Sequence, residues 1–440
     1  MMTHSKLICA AARTLKLGAL VAAFSAAAGC SDFLKATNPG AVEETDVTNP
    51  ANISIIANAP IYGYQLAYTD VTYWNGQLTD ELFNRAVFVE EGQIDRRELY
   101  SDMSYINAFI YGPAQRARYL GEDAARRLKD ILADSASRDI RVARSLAYAG
   151  HSYILLGETM CVTPIDLGVP KTSAQIFGDA ITNFDEAIAI ATAARAHLQA
   201  QPVPNANAIA ATDSVRFFAL VGAARAALNR NDKPAAIAYA NQVPAAFVFR
   251  AYYTDNTAQQ RNRTYERLTV GSNANLLNTP FEAMTTDPRV PRIGGTTARA
   301  GIPLSPPSYS TYSATVAGAA FAPIMSVRIA SGLEAEYIRA EAEGPTPATL
   351  IFVNARRSAN GQTATAVVGD ELMAELRDQR SRDFYLDGHR LGDLRRYKEF
   401  YNVDLFPSGP YPGSTSGAVY DPNITCWPLP TNEINGNPNI

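Results

Sequence analysis

Small side chains recur in columns at helical spacing through the middle of this chain, and that pattern constrains its fold more than any other feature. From Asp139 to Gly157 one helical face carries Ala143, Ala147, Gly150 and Ile154. From Thr172 to Ala194 the face is Ile176, Ala180, Phe184, Ala187 and Ala191, with Thr172 or Ser173 available as N-cap. Between Asp213 and Asn229 it is Phe217, Val221, Ala224 and Leu228. Lys233 to Val243 adds a short helix that Pro244 stops. Ala147, Gly150 and Leu156 return as Ala219, Gly222 and Leu228 at a constant offset of 72 residues. Faces of Ala and Gly let antiparallel helices approach closely, the arrangement of stacked tetratricopeptide-type pairs. On this pattern alone a generic helical bundle remains the alternative.

The flanks can be placed around that scaffold. Residues 51–70 have a helical pattern, Ile55, Ala59, Tyr62 and Leu66. Tyr73-Trp74-Asn75-Gly76 reads as an exposed turn, and residues 103–133 as another long helix that Pro113 ends or kinks. Periodicity fades over 245–325, where Gly, Pro, Thr, Asn and Tyr dominate; such a long irregular stretch points to function or to a cover over the scaffold. Regular structure returns at Ile329–Ala342, Ala348–Ser358 and Asp370–Phe400, with Gly388 breaking the last, and a Pro- and Gly-rich tail fills 401–440. The expected class is mainly α: a tetratricopeptide-like helical repeat scaffold over about 51–244 and 326–400, with an irregular loop-rich subdomain at about 245–325.

The N-terminus has a separate logic. Residues 1–29 hold Lys6, Arg13 and Lys16, no acidic residue, and the apolar run Leu17 to Phe24, which together make a signal peptide. The segment closes on Ala27-Ala28-Gly29-Cys30, similar to the lipobox of bacterial lipoproteins, so Cys30 is the expected lipidation site and the mature N-terminus is expected to be tethered to a membrane. Ala27 stands where that motif more often has Leu. Removing the signal leaves 39 − 3 = 36 Lys+Arg against 43 Asp+Glu, a formal charge of −7 that argues against nucleic acid as a partner. Of four cysteines, Cys9 leaves with the signal and Cys30 is acylated. Cys161 and Cys426 then remain in an oxidising compartment, where a disulfide between them is expected and two separate buried thiols are the alternative.

Four segments, in order, resemble one family. Glu336-Tyr337-Ile338-Arg339-Ala340-Glu341-Ala342, Phe352 to Ala359, Leu376 to Arg396, and Trp427-Pro428-Leu429-Pro430 followed by Glu433-Ile434 and Asn437-Pro438-Asn439-Ile440 are similar to motifs of SusD/RagB proteins. Gln379-Arg380 departs from the family's usual Glu-Arg, and Asp383 and Asp387 stand where Glu is usual. The resemblance implies a tetratricopeptide scaffold under an irregular cover, exposed at the cell surface. It also implies a partnership with a SusC-like TonB-dependent transporter, to which the protein delivers a captured glycan or other nutrient.

No catalytic constellation is legible. Glu43-Glu44, Asp80-Glu81 and Glu90-Glu91 read as solvated surface pairs. His151, His197 and His389 lack metal-ligand spacing, His151 reading as a packing residue, and neither metal nor cofactor is expected. Arg380, Asp383, Asp387, Arg390, Asp393 and Arg396 suit ion pairs along one helix face that join the C-terminal helices to the tail. Sugars present C–H faces and hydroxyls, so their pockets combine flat rings with amides, carboxylates or guanidinium groups. Tyr73, Trp74, Asn75 and Asp80 fit that chemistry, as do Tyr252, Tyr253, Tyr309 and Tyr312 from the irregular section; half-buried packing suits each of them equally. Trp427 reads as structural. The leading function is a nutrient-binding lipoprotein without chemistry of its own; the alternatives are a tetratricopeptide-like envelope scaffold that binds only proteins, and a surface hydrolase.

Overall fold

Asp139, Thr172, Asn205 and Asp232 each accept a hydrogen bond from the backbone of the turn that follows, and each starts a helix of the scaffold. Thr172 does so within a reciprocal capping box with Gln175. The computed structural model describes residues 49–440 except 85, 271–273, 285, 291–323, 413 and 415. Cys30, Glu43-Glu44, Tyr309 and Tyr312 therefore lie outside the described residues. Met1–Asn52 is a unit of its own, described only as the 3-10 turn Pro50–Asn52; the body runs from Ile53 to Ile440.

In the body the helices are α1 (Ile53–Leu78), α2 (Val89–Asp95), α3 (Gly112–Leu132), α4 (Ile140–Thr159), α5 (Ser173–Gln199), α6 (Ala206–Asn229) and α7 (Lys233–Ala240). After the irregular part come α8 (Gly332–Glu343), α9 (Pro347–Ala359), α10 (Gly369–Asp383), α11 (Arg390–Tyr401) and α12 (Thr431–Gly436). Helices α3 to α7 pack each on the next, α1 closes one end against α3 and α4, and α8 continues the stack on α6 and α7. The fold is mainly α and tetratricopeptide-like, as the columns of small residues imply. Strands are short: β1 (Phe83–Asn84) pairs antiparallel with β3 (Ala274–Asn275), and β2 (Val248–Ala251) with β4 (Val327–Ser331). No described helix is long and apolar enough to cross a membrane.

The 72-residue repeat has a direct physical meaning. Phe184 of α5, wholly buried, lies between Gly150 of α4 and Gly222 of α6. A Cβ at Gly150 would sit 2.6 Å from Phe184 Cε1, and one at Gly222 would collide with Cζ of the same ring. His151 stacks on Phe218 at 3.9 Å and donates from Nε2 to the Phe218 carbonyl at 3.0 Å. Burial pulls its pKa down to about 3, so the ring is neutral packing, as its position in the helix implies.

The tail is fastened at the C-terminal end of α4. A disulfide joins Cys161 to Cys426, with Cα atoms 5.0 Å apart. Trp427 donates its backbone N–H to Thr159 and accepts from Cys161, both at 2.9 Å, and its Nε1 donates to Asn75 Oδ1 at 2.9 Å.

Asp80-Glu81 is not a surface pair: both are buried, because Arg390 of α11 forks onto Asp80 at 2.6 Å and the Leu386 N–H donates to Glu81 at 2.8 Å. Glu91 is buried as well. The charged run from Arg380 to Arg396 binds the scaffold rather than the tail. Arg396 pairs with Glu341 at 2.7 Å and with Asp393 at 2.8 Å, and Arg380 with Asp393 at 2.7 Å. Gly388 (φ +82°) makes the turn between α10 and α11, and its carbonyl accepts from Arg225 at 3.0 Å.

His389 sits in that turn, wholly enclosed, 2.7 Å from Asp387 and 3.0 Å from Glu334, with Arg225 close by. Burial and Arg225 oppose a charge on the ring, and the two carboxylates overcome them, so its pKa is raised. Burial also pushes the Glu81 carboxyl up to about 8, against the Leu386 N–H and Arg390. Both groups hold a proton more tightly when folded. Glu81's relative contribution to stability is greatest below the ordinary carboxylate pKa and is lost as pH rises through about 8. His389's is present below roughly pH 6.5 and lost as pH rises through its folded value.

Two tests follow from this packing. Gly222→Ala is expected to cost about 1–3 kcal/mol through the clash with Phe184, whereas Gly178→Ala, with nothing within 4 Å of its Cβ, is expected to be neutral or stabilising in calorimetry. The unfolding midpoint is expected to fall between about pH 6 and 9, by on the order of a few kcal/mol in stability, and to fall less steeply in His389→Gln; a midpoint that rose over that range would contradict the assignment.

Candidate ligand-binding site

Helix α1 buries Ile56, Ala57, Pro60, Gly63, Tyr64 and Ala67. The stripe that reveals it in sequence, Ile55, Ala59, Tyr62 and Leu66, is its outward side: Ile55 is 52 % and Tyr62 44 % exposed. An apolar stripe left facing solvent on a scaffold helix is the first mark of a binding surface.

Opposite it, Pro113 sets the second wall. Proline has no N–H to continue the helical ladder, and just before it the backbone slips into a π-helix, Ile106–Tyr111, whose end is marked by the Gly112 N–H bonding to the Asn107 carbonyl. That wider turn carries Asn107, Ala108 and Phe109 to the wall of a cavity of about 360 Å³, which Tyr62, Leu66, Asp70, Arg116, Gln259 and Arg263 also line. A second π-helix, Glu266–Val270, brings Arg267 to 4.5 Å from the Phe109 ring and 4.6 Å from Trp74. Arg267 is held there by Asp70 at 3.0 Å; burial raises the Asp70 pKa, with Arg267 and Arg263 opposing.

A smaller concavity of about 110 Å³ adjoins the first and shares Tyr62, Leu66 and Gln259 with it. Its other walls are Gln65 of α1 and Tyr252, Tyr253, Thr254 and Gln260, brought from just beyond β2. Tyr253 is nearly buried and donates its hydroxyl to the Gln65 carbonyl at 3.1 Å, while Tyr252 beside it is 57 % exposed. Together the two concavities form one trough with rings (Tyr62, Tyr252, Tyr253, Phe109), amides (Gln65, Asn107, Gln259, Gln260) and guanidinium groups (Arg116, Arg263). Flat rings flanked by forked donors and amide acceptors suit a polyhydroxylated chain. Asp70 is the one carboxylate among the lining residues, and it is ion-paired.

The residues singled out in the sequence divide around this trough. Tyr253 lines it. Tyr73, Trp74 and Asn75 do not stand in an exposed turn: α1 runs on to Leu78, and all three are buried. The helix continues because residues 67–78 are buried on every side, and Gly76 serves close packing, its Cβ position lying 2.9 Å from Leu386. Trp74 nevertheless supports the site from beneath, stacked under Phe109 at 5.8 Å and under Arg267. Asn75 bridges Trp427 and Thr159, and Asp80 is the partner of Arg390 on the wall of a separate cavity. Tyr62 and Phe109 were missed as site residues; the outward stripe of α1 and the phase slip before Pro113 were the signals available.

The build is that of a helical-repeat scaffold with an aromatic-lined trough. No family model matches the sequence, and no curated protein matches it. Solved structures do match in fold. A SusD superfamily protein from Bacteroides fragilis aligns with a TM-score of 0.62 at 14 % identity, covering 89 % of this chain and 99 % of its own. Surface glycan-binding protein A from Bacteroides uniformis aligns at 0.59 and 11 % identity, covering 89 % and 99 %. A laminarin-binding SusD-like protein aligns at 0.56 and 11 % identity, covering 89 % and 100 %. The chain has the SusD/RagB fold, as its motifs imply.

Trp74→Ala is expected to destabilise the protein by about 3–5 kcal/mol, because it empties a core site. Tyr62→Ala should shift stability by no more than about 0.5 kcal/mol. Equal losses in denaturant unfolding would mean that the outward and inward sides of α1 have been misassigned.

Proposed function

We propose that this chain is a SusD/RagB-type surface lipoprotein that binds an oligosaccharide, or a similar nutrient, in the trough between α1, the π-turn before Pro113 and the loop after β2. It is tethered to the outer membrane through Cys30 and hands its ligand to a SusC-like TonB-dependent transporter without altering it. The observation that carries the reading is the exposed pair of rings, Tyr62 and Tyr252, facing one concavity with amides between them. Supporting it is the fold match, over 89 % of this chain, to proteins described as glycan- and laminarin-binding. The anchor and the transporter rest on the lipobox-like Ala27-Ala28-Gly29-Cys30 and on the SusD/RagB motifs.

Calorimetric titration of the mature protein against laminari-oligosaccharides, other glycans and peptides tests the ligand class. A glycan is expected to bind, with Tyr62→Ala and Tyr252→Ala each weakening it by about five- to tenfold. A protein-only scaffold would bind none of them, and a hydrolase would turn one over. Cys30→Ser is expected to move the protein from the membrane to the soluble fraction; unchanged fractionation would remove the anchor.

A further inference from the structure

A second cavity, of about 340 Å³, opens where the C-terminal end of α4, the start of α5 and the outer side of α11 meet. It shares no lining residue with the aromatic trough. Three guanidinium groups and two carboxylates line it: Arg230, Arg395, Arg396, Glu158 and Glu399. Most of that charge is committed elsewhere. Both oxygens of Glu158 are taken by Arg225, at 2.7 and 2.5 Å, and Asn229 also donates to it at 2.6 Å. Arg396 is spent on Glu341 and Asp393.

Arg395 has a different set of partners. Its Nη1 donates to the carbonyls of Gly157, Glu158 and Met160 at 2.7–3.0 Å, and its Nη2 to Ser173 Oγ at 2.9 Å. All four acceptors are neutral, and no carboxylate lies within ion-pair distance of Arg395 or of Arg230 among the described residues. Burial pulls the Arg395 pKa down to about 10, with the Glu399 and Glu158 carboxylates opposing it from beyond ion-pair distance. Setting Arg230 and Arg395 against Glu399 leaves the cavity one net positive charge, with the hydroxyls of Thr172 and Ser173 on its wall.

We infer that this cavity is a second ligand site, which takes a small oxyanion (a sulfate, phosphate or carboxylate group, free or carried on a sugar) between the guanidinium groups of Arg230 and Arg395. Arg230 offers the open guanidinium fork for an oxyanion, Arg395 adds the positive charge of a guanidinium anchored by its Nη atoms to the end of α4 and to Ser173, and neutral sugars would gain nothing from that charge.

Titration of the mature protein with inorganic sulfate, glucose 6-sulfate and glucose tests this, read by calorimetry and by the amide signals of residues lining the cavity. Saturable sulfate binding is expected, weakened about tenfold in Arg230→Gln and tightened in Glu399→Gln, with glucose inert. Equal affinity for both sulfates assigns a free ion, and tighter binding of the sugar sulfate assigns a carried group. Arg230 is exposed and has no ion pair among the described residues, so Arg230→Gln is expected to fold normally. Binding that is absent, or unchanged in Arg230→Gln, overturns the site. Tyr62→Ala should leave sulfate binding intact, which separates this outcome from failure of the aromatic trough.

Discussion

Arginines buried between helices hold the C-terminal half of this protein in register with its repeat scaffold. Arg390 forks onto Asp80 at the end of α1, Arg225 joins Glu158 of α4 to Glu334 of α8, and Arg396 ties α11 to Glu341. Such pairs add little net stability over a well-packed apolar core, yet breaking one strands a buried charge at a cost of about 3–5 kcal/mol. Their effect is therefore to permit one docking arrangement and penalise others. Gly392 shows how tight that arrangement is, since a Cβ there would lie 2.5 Å from the Glu158 carboxyl carbon.

That register positions the binding surface. With α1 fixed by α3 and α4 on its inner side and by α11 near its end, its outward stripe cannot turn inward, and Tyr62 and Leu66 stay presented to solvent. The π-turn at Ile106–Tyr111 and the π-turn at Glu266–Val270 converge on the same place through Phe109 and Arg267. Buried Trp74 packs beneath Phe109 and against Tyr73, and backing of that kind holds a ring in place before a ligand arrives, which limits the entropy lost on binding.

Much of the fold was legible because its signals are local or periodic. The columns through Gly150 and Gly222 reported a real common partner, Phe184; the Thr172 cap and the Gly388 turn were read from residue type and position, and the Cys161–Cys426 bond from the two cysteines left in an exported body. The site was harder. Tyr73-Trp74-Asn75-Gly76 has the composition of a loop, and only its burial on every side by distant segments, Leu386 and Trp427 among them, makes it helix. Asp80-Glu81 looks solvated until Arg390, 310 residues away, is brought to it. Periodicity located α1 but could not say which of its faces met solvent.

The central claim is that ligand lies against the outward side of α1. Hydrogen–deuterium exchange of the mature protein, with and without a bound oligosaccharide, tests it most directly. Protection confined to the backbone around Tyr62–Leu66, Asn107–Gly112 and Tyr252–Gln260 is the result this account predicts. Protection elsewhere, with those three segments unchanged by a glycan that demonstrably binds, would contradict it.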